Sequence, residues 1–206
     1  MKFRSSSLGK LMTSARSKSE VLSQTAKSHI EQLAKENFFN YRNQISSRYL
    51  DKGQQQEPDS IELVNTVRME SYTKHVGRVS NDYLTGECDI ITSDTIIDIK
   101  TSWSIDTWPA LPQDGVNSDY EWQMRAYMML YDRPQAEVIY CLVTTDPDLL
   151  SSFDNHELHQ VDHIPADKRI TVLQYDRDIL VEAEIMERLA ICSEYYENYY
   201  KQLTLK

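Results

Sequence analysis

The 206-residue sequence has little cysteine, little glycine and no long apolar run. Its three cysteines, Cys88, Cys141 and Cys192, lie far apart and form no C-x-x-C pair, which argues against a zinc or redox motif. No glycine-rich loop follows a strand pattern, so a nucleotide-binding fold of that kind is not expected. The longest apolar run, near residues 138–143, is far shorter than the roughly 20 residues of a membrane helix. The N-terminus also has no apolar signal segment, so we expect a cytoplasmic protein with reduced thiols.

The charge of the sequence is unevenly distributed. The formal net charge is −10, yet residues 1–52 hold ten basic and four acidic residues, whereas residues 53–206 hold 12 and 28. The N-terminal segment is therefore basic, at +6, and the body is acidic, at −16. One interpretation is a solvated helix face followed by an acidic surface. The other is a basic arm that contacts phosphate beside a carboxylate-rich site that holds cations.

The N-terminal third is predicted to be helical. Ser5, Ser6 and Ser7 are typical of a cap before a short helix. The capping box Ser17-x-x-Glu20 opens a long helix that ends at Lys52-Gly53. The apolar positions that indicate this long helix are Ile30, Leu33, Tyr41 and Ile45. Another helix is predicted around residues 58–67.

Strands and helices alternate after residue 72. The predicted strands are 72–78, 87–91, 95–100, 136–145 and 170–175. The predicted helices are 118–131 and 178–202, with irregular segments at 101–117 and 146–168. Apolar residues spaced by four and three along the last helix predict core or subunit packing. This order indicates an α/β protein with a mixed sheet.

Three charged residues in the predicted hairpin indicate chemistry. Asp98 and Lys100 are two apart on a strand and share a face. A turn centred on Ser93 and Asp94 pairs residues whose numbers sum to 187, which places Asp89 opposite Asp98. Opposed carboxylates repel unless a divalent cation lies between them, and oxygen ligands suit Mg²⁺ or Mn²⁺. A neighbouring lysine stabilises charge on a phosphoryl group, so the set suits metal-assisted phosphodiester hydrolysis. The alternative is an exposed hairpin with a solvated lysine.

A helix follows the hairpin and carries Gln123 and Tyr127 on one face, at i,i+4 spacing. Gln123 is able to donate to a phosphate oxygen, and Tyr127 is able to hydrogen-bond or stack on a base. The alternative is that this face only packs against the core.

The order of these motifs resembles the PD-(D/E)XK nuclease superfamily, in its RecB-like and lambda-exonuclease-like branch. The matching motifs are Gly86-x-x-Asp89, Asp98-x-Lys100 and Gln123-x-x-x-Tyr127, with Cys88 where the superfamily's name has proline. The resemblance implies a restriction-endonuclease-like core, with a mixed central β-sheet flanked by helices and helical N- and C-terminal segments. We expect one nuclease domain over 1–206, with a basic helical segment (1–52), a catalytic core (53–175) and a C-terminal helix (176–206).

The resemblance also assigns roles to residues. It implies metal ligation by Asp89, Asp98, Glu57 and the carbonyl group of Ile99, with Lys100 as the catalytic lysine. It places Gln123 and Tyr127 near the substrate, and Arg4 with Ser6 and Ser7 against DNA phosphate. Glu57 precedes Pro58, and a residue before proline disfavours the helical region, so Glu62 and Glu70 remain alternatives for the first acidic residue.

The function implied is a Mg²⁺-dependent (or Mn²⁺-dependent) deoxyribonuclease of phage origin, in a bacterial or phage-infected cell. We expect an exonuclease that acts on double-stranded DNA ends in recombination or repair. The alternatives are a junction resolvase-like endonuclease and a non-catalytic DNA-binding or assembly protein on a degenerate nuclease fold. The resemblance further implies a homo-oligomer and a recombination partner protein, with no role for a membrane.

Overall fold

The computed structural model describes residues 1–43 and 47–205. Its helices are α1 Leu8–Met12, α2 Gln24–Phe38, α3 Arg48–Gln55, α4 Glu57–Arg68, α5 Ser118–Tyr131 and α6 Ile179–Thr204. Its strands are β1 Phe3–Arg4, β2 Val79–Ser80, β3 Leu84–Gly86, β4 Ile90–Ile91, β5 Thr95–Thr101, β6 Gln135–Cys141 and β7 Ile170–Asp176. In this part of the chain, no helix is both long and apolar enough to cross a membrane.

A mixed sheet forms the centre of the molecule, with strand order β4-β5-β6-β7. β5 and β6 are parallel, and α5 supplies the crossover that parallel neighbours require. β4 and β7 run antiparallel to their neighbours. Helices cover both faces, which confirms the predicted mixed α/β core with helical terminal segments.

The predicted hairpin register is confirmed. Ile90 pairs with Ile97 and Ile91 with Ile96, so the partner numbers sum to 187. The turn is closed by the N–H of Thr92, which donates to the carbonyl oxygen of Thr95 at 2.9 Å. Asp89 directly precedes β4 and therefore lies beside Asp98.

Alternation along β5 separates apolar from charged side chains. Ile97 and Ile99 pack against Ile61 and Val64 of α4. Ile96 faces the other way and packs with Met124 and Met128 of α5. Since side chains alternate along a strand, Asp98 and Lys100 also point to the α5 face. The sheet thus directs both charged groups toward the helix that carries Gln123 and Tyr127.

A second cluster joins the two ends of the chain. α2 packs against α6, and the N-terminal segment packs against α5. The buried members of this cluster on the last helix are Ile185, Leu189, Cys192 and Tyr196, which confirms its apolar stripe as core. A small sheet of order β1-β3-β2 places Phe3 beside Leu84 and Arg4 beside Thr85.

The prediction of one long helix from Ser17 to Lys52 is wrong, because α2 and α3 are separate helices. α2 begins after Ser23, whose hydroxyl accepts a hydrogen bond from the N–H of Ala26 at 3.0 Å. The chain turns at Asn40, whose backbone is left-handed with φ of 50°.

α3 then begins after Ser47, whose side chain accepts from the N–H of Leu50 at 3.3 Å. Of the apolar positions used to predict the long helix, Tyr41 is exposed and Ile45 lies outside the described residues. The helices therefore begin at the serine caps Ser23 and Ser47 and not at the Ser17-x-x-Glu20 pattern.

The predicted stop at Lys52-Gly53 is also wrong, because α3 continues to Gln55. Lys52 is fully buried, and its ammonium donates to the carbonyl oxygens of Trp103 (2.9 Å) and Val143 (3.1 Å) and to the hydroxyl of Thr145 (2.7 Å). Burial lowers the pKa of Lys52 to about 8. Three oxygen acceptors hold the helix against the ends of two strands, which outweighs the local preference of glycine for a terminus.

The predicted strand at 72–78 is wrong as well, since only Val79 and Ser80 have strand structure. The backbone of Tyr72 hydrogen-bonds to the side chain of Asn65, and the N–H of His75 donates to the carbonyl oxygen of Asp89 at 2.6 Å. These partners replace those of a strand ladder, so alternation in the sequence did not produce a strand.

The remaining boundaries differ from prediction by a few residues. α5 spans the predicted range, but its cap is Asn117, which accepts from the N–H groups of Asp119 and Tyr120. β6 ends at Cys141 rather than at Thr145, and the segments predicted as irregular contain short 3₁₀ turns.

Gly86 is required by close packing between β3 and two other elements. A Cβ atom there would lie 2.7 Å from Cε1 of Tyr127 and would overlap the hydroxyl of Ser5.

We expect Gly86→Ala to lower the free energy of unfolding by about 1–3 kcal/mol, as overpacking usually does. Gly53→Ala is the control: it has open space and a helical position, so it should be neutral or stabilising by up to about 1 kcal/mol. Urea denaturation measures both, and equal effects would contradict this account of Gly86.

Candidate active site

A cleft of about 630 Å³ opens where α3, α4, β5 and α5 meet. Its lining is rich in charged groups from separate elements. They are Glu57, Glu87, Asp89, Asp98 and Lys100. Aromatic side chains also line it, namely Tyr49, Trp103, Tyr120, Tyr127 and Tyr140.

Asp98 and Lys100 form an ion pair inside this cleft. Asp98 is only 3% exposed, and its Oδ1 accepts a hydrogen bond from Gln123 at 3.3 Å. The ammonium of Lys100 also lies 4.5 Å from the centre of the Tyr120 ring, a cation–π distance. Burial alone would lower the pKa of Lys100, but its charge interaction and direct contact with Asp98, together with the charges of Tyr120 and Asp89, raise the pKa. Lys100 is therefore a fixed cation.

Asp89 reaches β5 through its side chain. Its Oδ2 accepts a hydrogen bond from the backbone N–H of Ile99 at 2.7 Å. Burial raises the pKa of Asp89 to about 7, and the nearby charges of Asp98 and Glu57 add to the effect. The Ile99 N–H opposes this rise without cancelling it. The carboxylates of Asp89 and Asp98 therefore lie beside each other, as the hairpin register predicted. Both are poorly solvated.

Glu57 completes the acidic group from α4. It is the first residue of that helix, and its Oε2 forms an ion pair with Lys74. Its Oε1 is buried and has no hydrogen-bond donor. Glu57 is helical although it precedes Pro58, and Pro58 lies in the first turn, where its missing N–H breaks no helical hydrogen bond.

Gln123 and Tyr127 form a chain of hydrogen bonds behind the carboxylates. Gln123 donates to the hydroxyl of Tyr127 at 2.9 Å, and that hydroxyl donates to the carbonyl oxygen of Glu87 at 2.7 Å. Both residues are almost fully buried, at 7% and 4% exposure. So little of the Tyr127 ring is exposed that stacking on a base is not favoured, and the hydrogen bonds hold Gln123 against Asp98.

Solved structures provide a direct comparison. The chain is 32% identical to a phage-related exonuclease from Haemophilus somnus 129PT, with a TM-score of 0.92, and the match covers 98% of this chain and 96% of that one. An alkaline exonuclease, LHK-Exo, from Laribacter hongkongensis shares the fold at 16% identity and a TM-score of 0.72, over 98% and 91% of the two chains. No protein-family model and no curated protein matches.

The chain belongs to the PD-(D/E)XK nuclease superfamily, in its lambda-exonuclease-like branch. An identity of 32% over nearly the full length of both chains decides this. LHK-Exo was also solved in complex with dAMP, and in that comparison it is 18% identical with a TM-score of 0.70, over 98% and 91% of the chains. At that identity it is evidence for the fold alone.

The structure separates the three candidates for the nuclease's first acidic residue. Glu57 lies in the cleft with Asp89 and Asp98. Glu62 is exposed and lines a different groove, beside Asp59. Glu70 is exposed beyond the end of α4. Only Glu57 is brought to the acidic group, although its role as a ligand stays a prediction.

The N-terminal residues assigned to DNA lie outside the lining of the cleft. Arg4 and Ser6 are exposed, and the hydroxyl of Ser7 donates to the carbonyl oxygen of Arg4 at 2.9 Å. Ser5, between Arg4 and Ser6, is buried and donates to the carbonyl oxygen of Thr85 at 3.2 Å. It also lies against Gly86, so the segment borders the strand that leads to Asp89.

The carboxylates fit a hard divalent cation. In residues 1–43 and 47–205, no three histidine, cysteine or acidic side chains form a ready metal cluster, and each acid already has an N–H or ammonium partner. Two of their oxygens, Glu57 Oε1 and Asp98 Oδ2, are nevertheless buried without a hydrogen-bond donor. Asp98 Oδ2 touches Lys100 as an ion pair, but not in hydrogen-bond geometry. Such oxygens suit Mg²⁺ or Mn²⁺.

Two residues that contact the charged groups of the cleft were not assigned to it from the sequence, although Lys74 was a second-choice candidate for contacting DNA. Tyr120 lies under Lys100 and could have been found, because it is three residues before Gln123 on the same helix. Lys74 pairs with Glu57 across 17 positions of the chain, in a segment predicted as a strand. No local pattern indicates that contact.

The raised pKa of Asp89 predicts a pH dependence of stability without metal. Its pKa of about 7 exceeds the unfolded value near 3.8, so its contribution is full below pH 3.8 and is lost as the pH rises through 7. Asp89→Asn keeps an oxygen that accepts from the Ile99 N–H. Because asparagine does not ionise, the variant does not lose stability as the pH rises through 7. We expect its gain in free energy of unfolding to grow from pH 4 to pH 7 and to reach on the order of 1–3 kcal/mol at pH 8.

Thermal melts in EDTA across this pH range measure the effect. Asp94→Asn in the exposed turn is the control, because the hydroxyls of Thr92 and Thr95 lower the pKa of Asp94. That variant should lose stability above the unfolded pKa rather than gain it. A gain for Asp89→Asn that does not vary with pH would argue against a buried, charged Asp89.

Proposed function

We propose that this nuclease hydrolyses phosphodiester bonds of DNA with Mg²⁺ or Mn²⁺, as an exonuclease on double-stranded ends in recombination or repair. The observation that carries the proposal is the convergence of Glu57, Asp89 and Asp98 with Lys100 in one cleft. The 32% identity to a phage-related exonuclease supports the exonuclease assignment. LHK-Exo, which shares the fold, was solved with dAMP, and by analogy we propose a nucleotide as the class of ligand here.

Lys100 is the residue best placed to act on the phosphate. Its raised pKa keeps it protonated, and Asp98 and Tyr120 hold its position. Hydrolysis forms a bond from a water oxygen to phosphorus and breaks a bond from phosphorus to a sugar oxygen, which takes up a proton. The Lys100 ammonium donates to a phosphate oxygen and stabilises the charge that develops there.

The divalent cation would be held by Asp89, Asp98, Glu57 and the carbonyl oxygen of Ile99. When bound, such a cation acts as a Lewis acid on the phosphate and lowers the pKa of a bound water. Gln123 keeps Asp98 oriented, since it donates to the carboxylate from a buried position. Burial of these groups strengthens each electrostatic interaction, because the local dielectric is low.

The basic N-terminal segment is proposed to carry the DNA contacts of an otherwise acidic protein. Arg4 is exposed on β1, where it pairs with Thr85 of β3. The lambda-exonuclease-like branch also leads us to expect a homo-oligomer and a recombination partner protein. These expectations rest on the resemblance alone.

The first test of the proposed function is cleavage of end-labelled linear duplex and of circular DNA, with Mg²⁺ and with chelator. Lys100→Met and Asp98→Asn should reduce the rate at least about 10²–10³-fold, the value of one donor at a developing charge. Lys201→Met, an exposed lysine near the end of α6, is the control and should keep the parental rate. Circular dichroism checks that every variant is folded.

Each other outcome has a defined meaning. Near-parental turnover by both cleft variants would eliminate this site. Cleavage of circular DNA would favour the junction resolvase-like endonuclease. Tight DNA binding without Mg²⁺-dependent cleavage would favour a non-catalytic DNA-binding or assembly protein.

The second test concerns Arg4. Each neutralised phosphate adds about −0.9 to the slope of log affinity against log salt, so Arg4→Ala should flatten that slope by roughly one unit. It should also weaken the preference for phosphorylated over hydroxyl ends. Binding is measured in Ca²⁺, and Lys168→Ala, exposed in the acidic body, is the control. An unchanged slope and end preference would place the DNA path elsewhere.

A further inference from the structure

Lys74 lies in the segment between α4 and β2, and backbone hydrogen bonds fix this segment beside the acidic group. The N–H of the next residue, His75, donates to the carbonyl oxygen of Asp89 at 2.6 Å. The N–H of Gly77 donates to Glu87 at 3.3 Å, and the hydroxyl of Tyr131 donates to the Gly77 carbonyl oxygen at 3.3 Å. The backbone at Lys74 is thus tied to the segment that carries Asp89.

The Lys74 side chain is much less confined than its backbone. It is 49% exposed, whereas its partner Glu57 is only 15% exposed. Burial alone would lower the pKa of Lys74, but the charges of Glu57, Asp89 and Glu87 raise it. The ammonium therefore remains charged among three carboxylates, on a long stem that is able to move.

The Lys74 ammonium offsets part of the negative charge of the cleft. Glu57, Asp89 and Asp98 together carry up to three negative charges, and Lys74 and Lys100 offset two of them. Lys100 is the more confined of the two lysines, with 22% exposure and contacts to both Asp98 and Tyr120. Moving the Lys74 ammonium away from its carboxylate therefore costs less free energy than moving that of Lys100.

Building on the proposed function, we propose that Lys74 is a substrate-binding residue whose ammonium neutralises Glu57 until a divalent cation is bound. When Glu57 takes part in holding a divalent cation, the Lys74 ammonium would leave Glu57 and contact a phosphate oxygen of the substrate. Metal binding at this site is an exchange of one cation for another. The buried, donor-free Oε1 of Glu57 gives the incoming cation a place to begin that exchange.

Lys74→Met tests both parts, because it keeps the stem and removes the charge. Without a competing ammonium, Ca²⁺ should bind about tenfold tighter at pH 8, as expected for removing one unit charge a few ångströms away in a solvated cleft. Duplex DNA should bind more weakly at saturating Ca²⁺, with a salt slope reduced by about one unit. Isothermal titration calorimetry measures the first affinity and fluorescence anisotropy the second.

Arg78→Met is the matched control. It removes a positive charge from the same segment, but Arg78 contacts Glu87, at 3.6 Å, rather than Glu57. We expect it to change Ca²⁺ affinity by less than Lys74→Met. Lys74→Arg, which keeps the charge, should restore both parental values.

Opposite changes in Ca²⁺ and DNA affinity distinguish this role from a merely structural ion pair, whose loss would weaken both. An unchanged or weaker Ca²⁺ affinity for Lys74→Met would overturn the exchange. Tighter Ca²⁺ binding with parental DNA binding would overturn the phosphate contact. A parent protein that binds no Ca²⁺ and cleaves no DNA with Mg²⁺ would instead overturn the proposed function.

Discussion

The confinement of negative charge at the end of β5 is the constraint on which the site depends. Asp98 is 3% exposed and Asp89 lies beside it, although burying a carboxylate without partners costs several kcal/mol. The surrounding structure supplies those partners from different elements. The backbone of Ile99 serves Asp89, the α5 side chain of Gln123 serves Asp98, and two lysines oppose the remaining charge. The packing of α5 on the sheet brings Gln123 to Asp98, and the course of the segment after α4 brings Lys74 to Glu57.

The parts of the site that sequence reasoning reached are those that short-range geometry determines. The pairing of Asp89 with Asp98 follows from the length of one turn, and the shared face of Asp98 and Lys100 follows from strand alternation. The break between α2 and α3 was missed because the serine caps that produce it compete with an equally good local signal. The contacts of Lys52 and Lys74 were missed for another reason: their partners lie far away along the chain, and only the assembled fold brings them near.

The structure also narrows the basic segment proposed to meet DNA. Lys52 is fully buried, Arg42 pairs with Glu36, and Arg48 pairs with Asp154 while it lies 5.2 Å from the Trp103 ring centre. These three charges are used within the chain, so the second half of the segment contributes less to a phosphate surface than its composition suggests. The residues before α1 are better placed, because β1 holds Arg4 on an exposed edge beside the strand that leads to Asp89.

The same charge balance couples cation and substrate. A cleft whose carboxylates outnumber its ammonium groups repels a polyanion, and a divalent cation reverses the sign of that interaction. If DNA binds the cation-loaded cleft more tightly by some factor, thermodynamic linkage requires that DNA tighten cation binding by the same factor. An ammonium that moves from a carboxylate to a phosphate adds to this coupling, because it favours the pair of ligands together over either one alone. On the proposed function, an acidic protein therefore needs no large basic surface, because a cation held by its carboxylates would also attract DNA to the site.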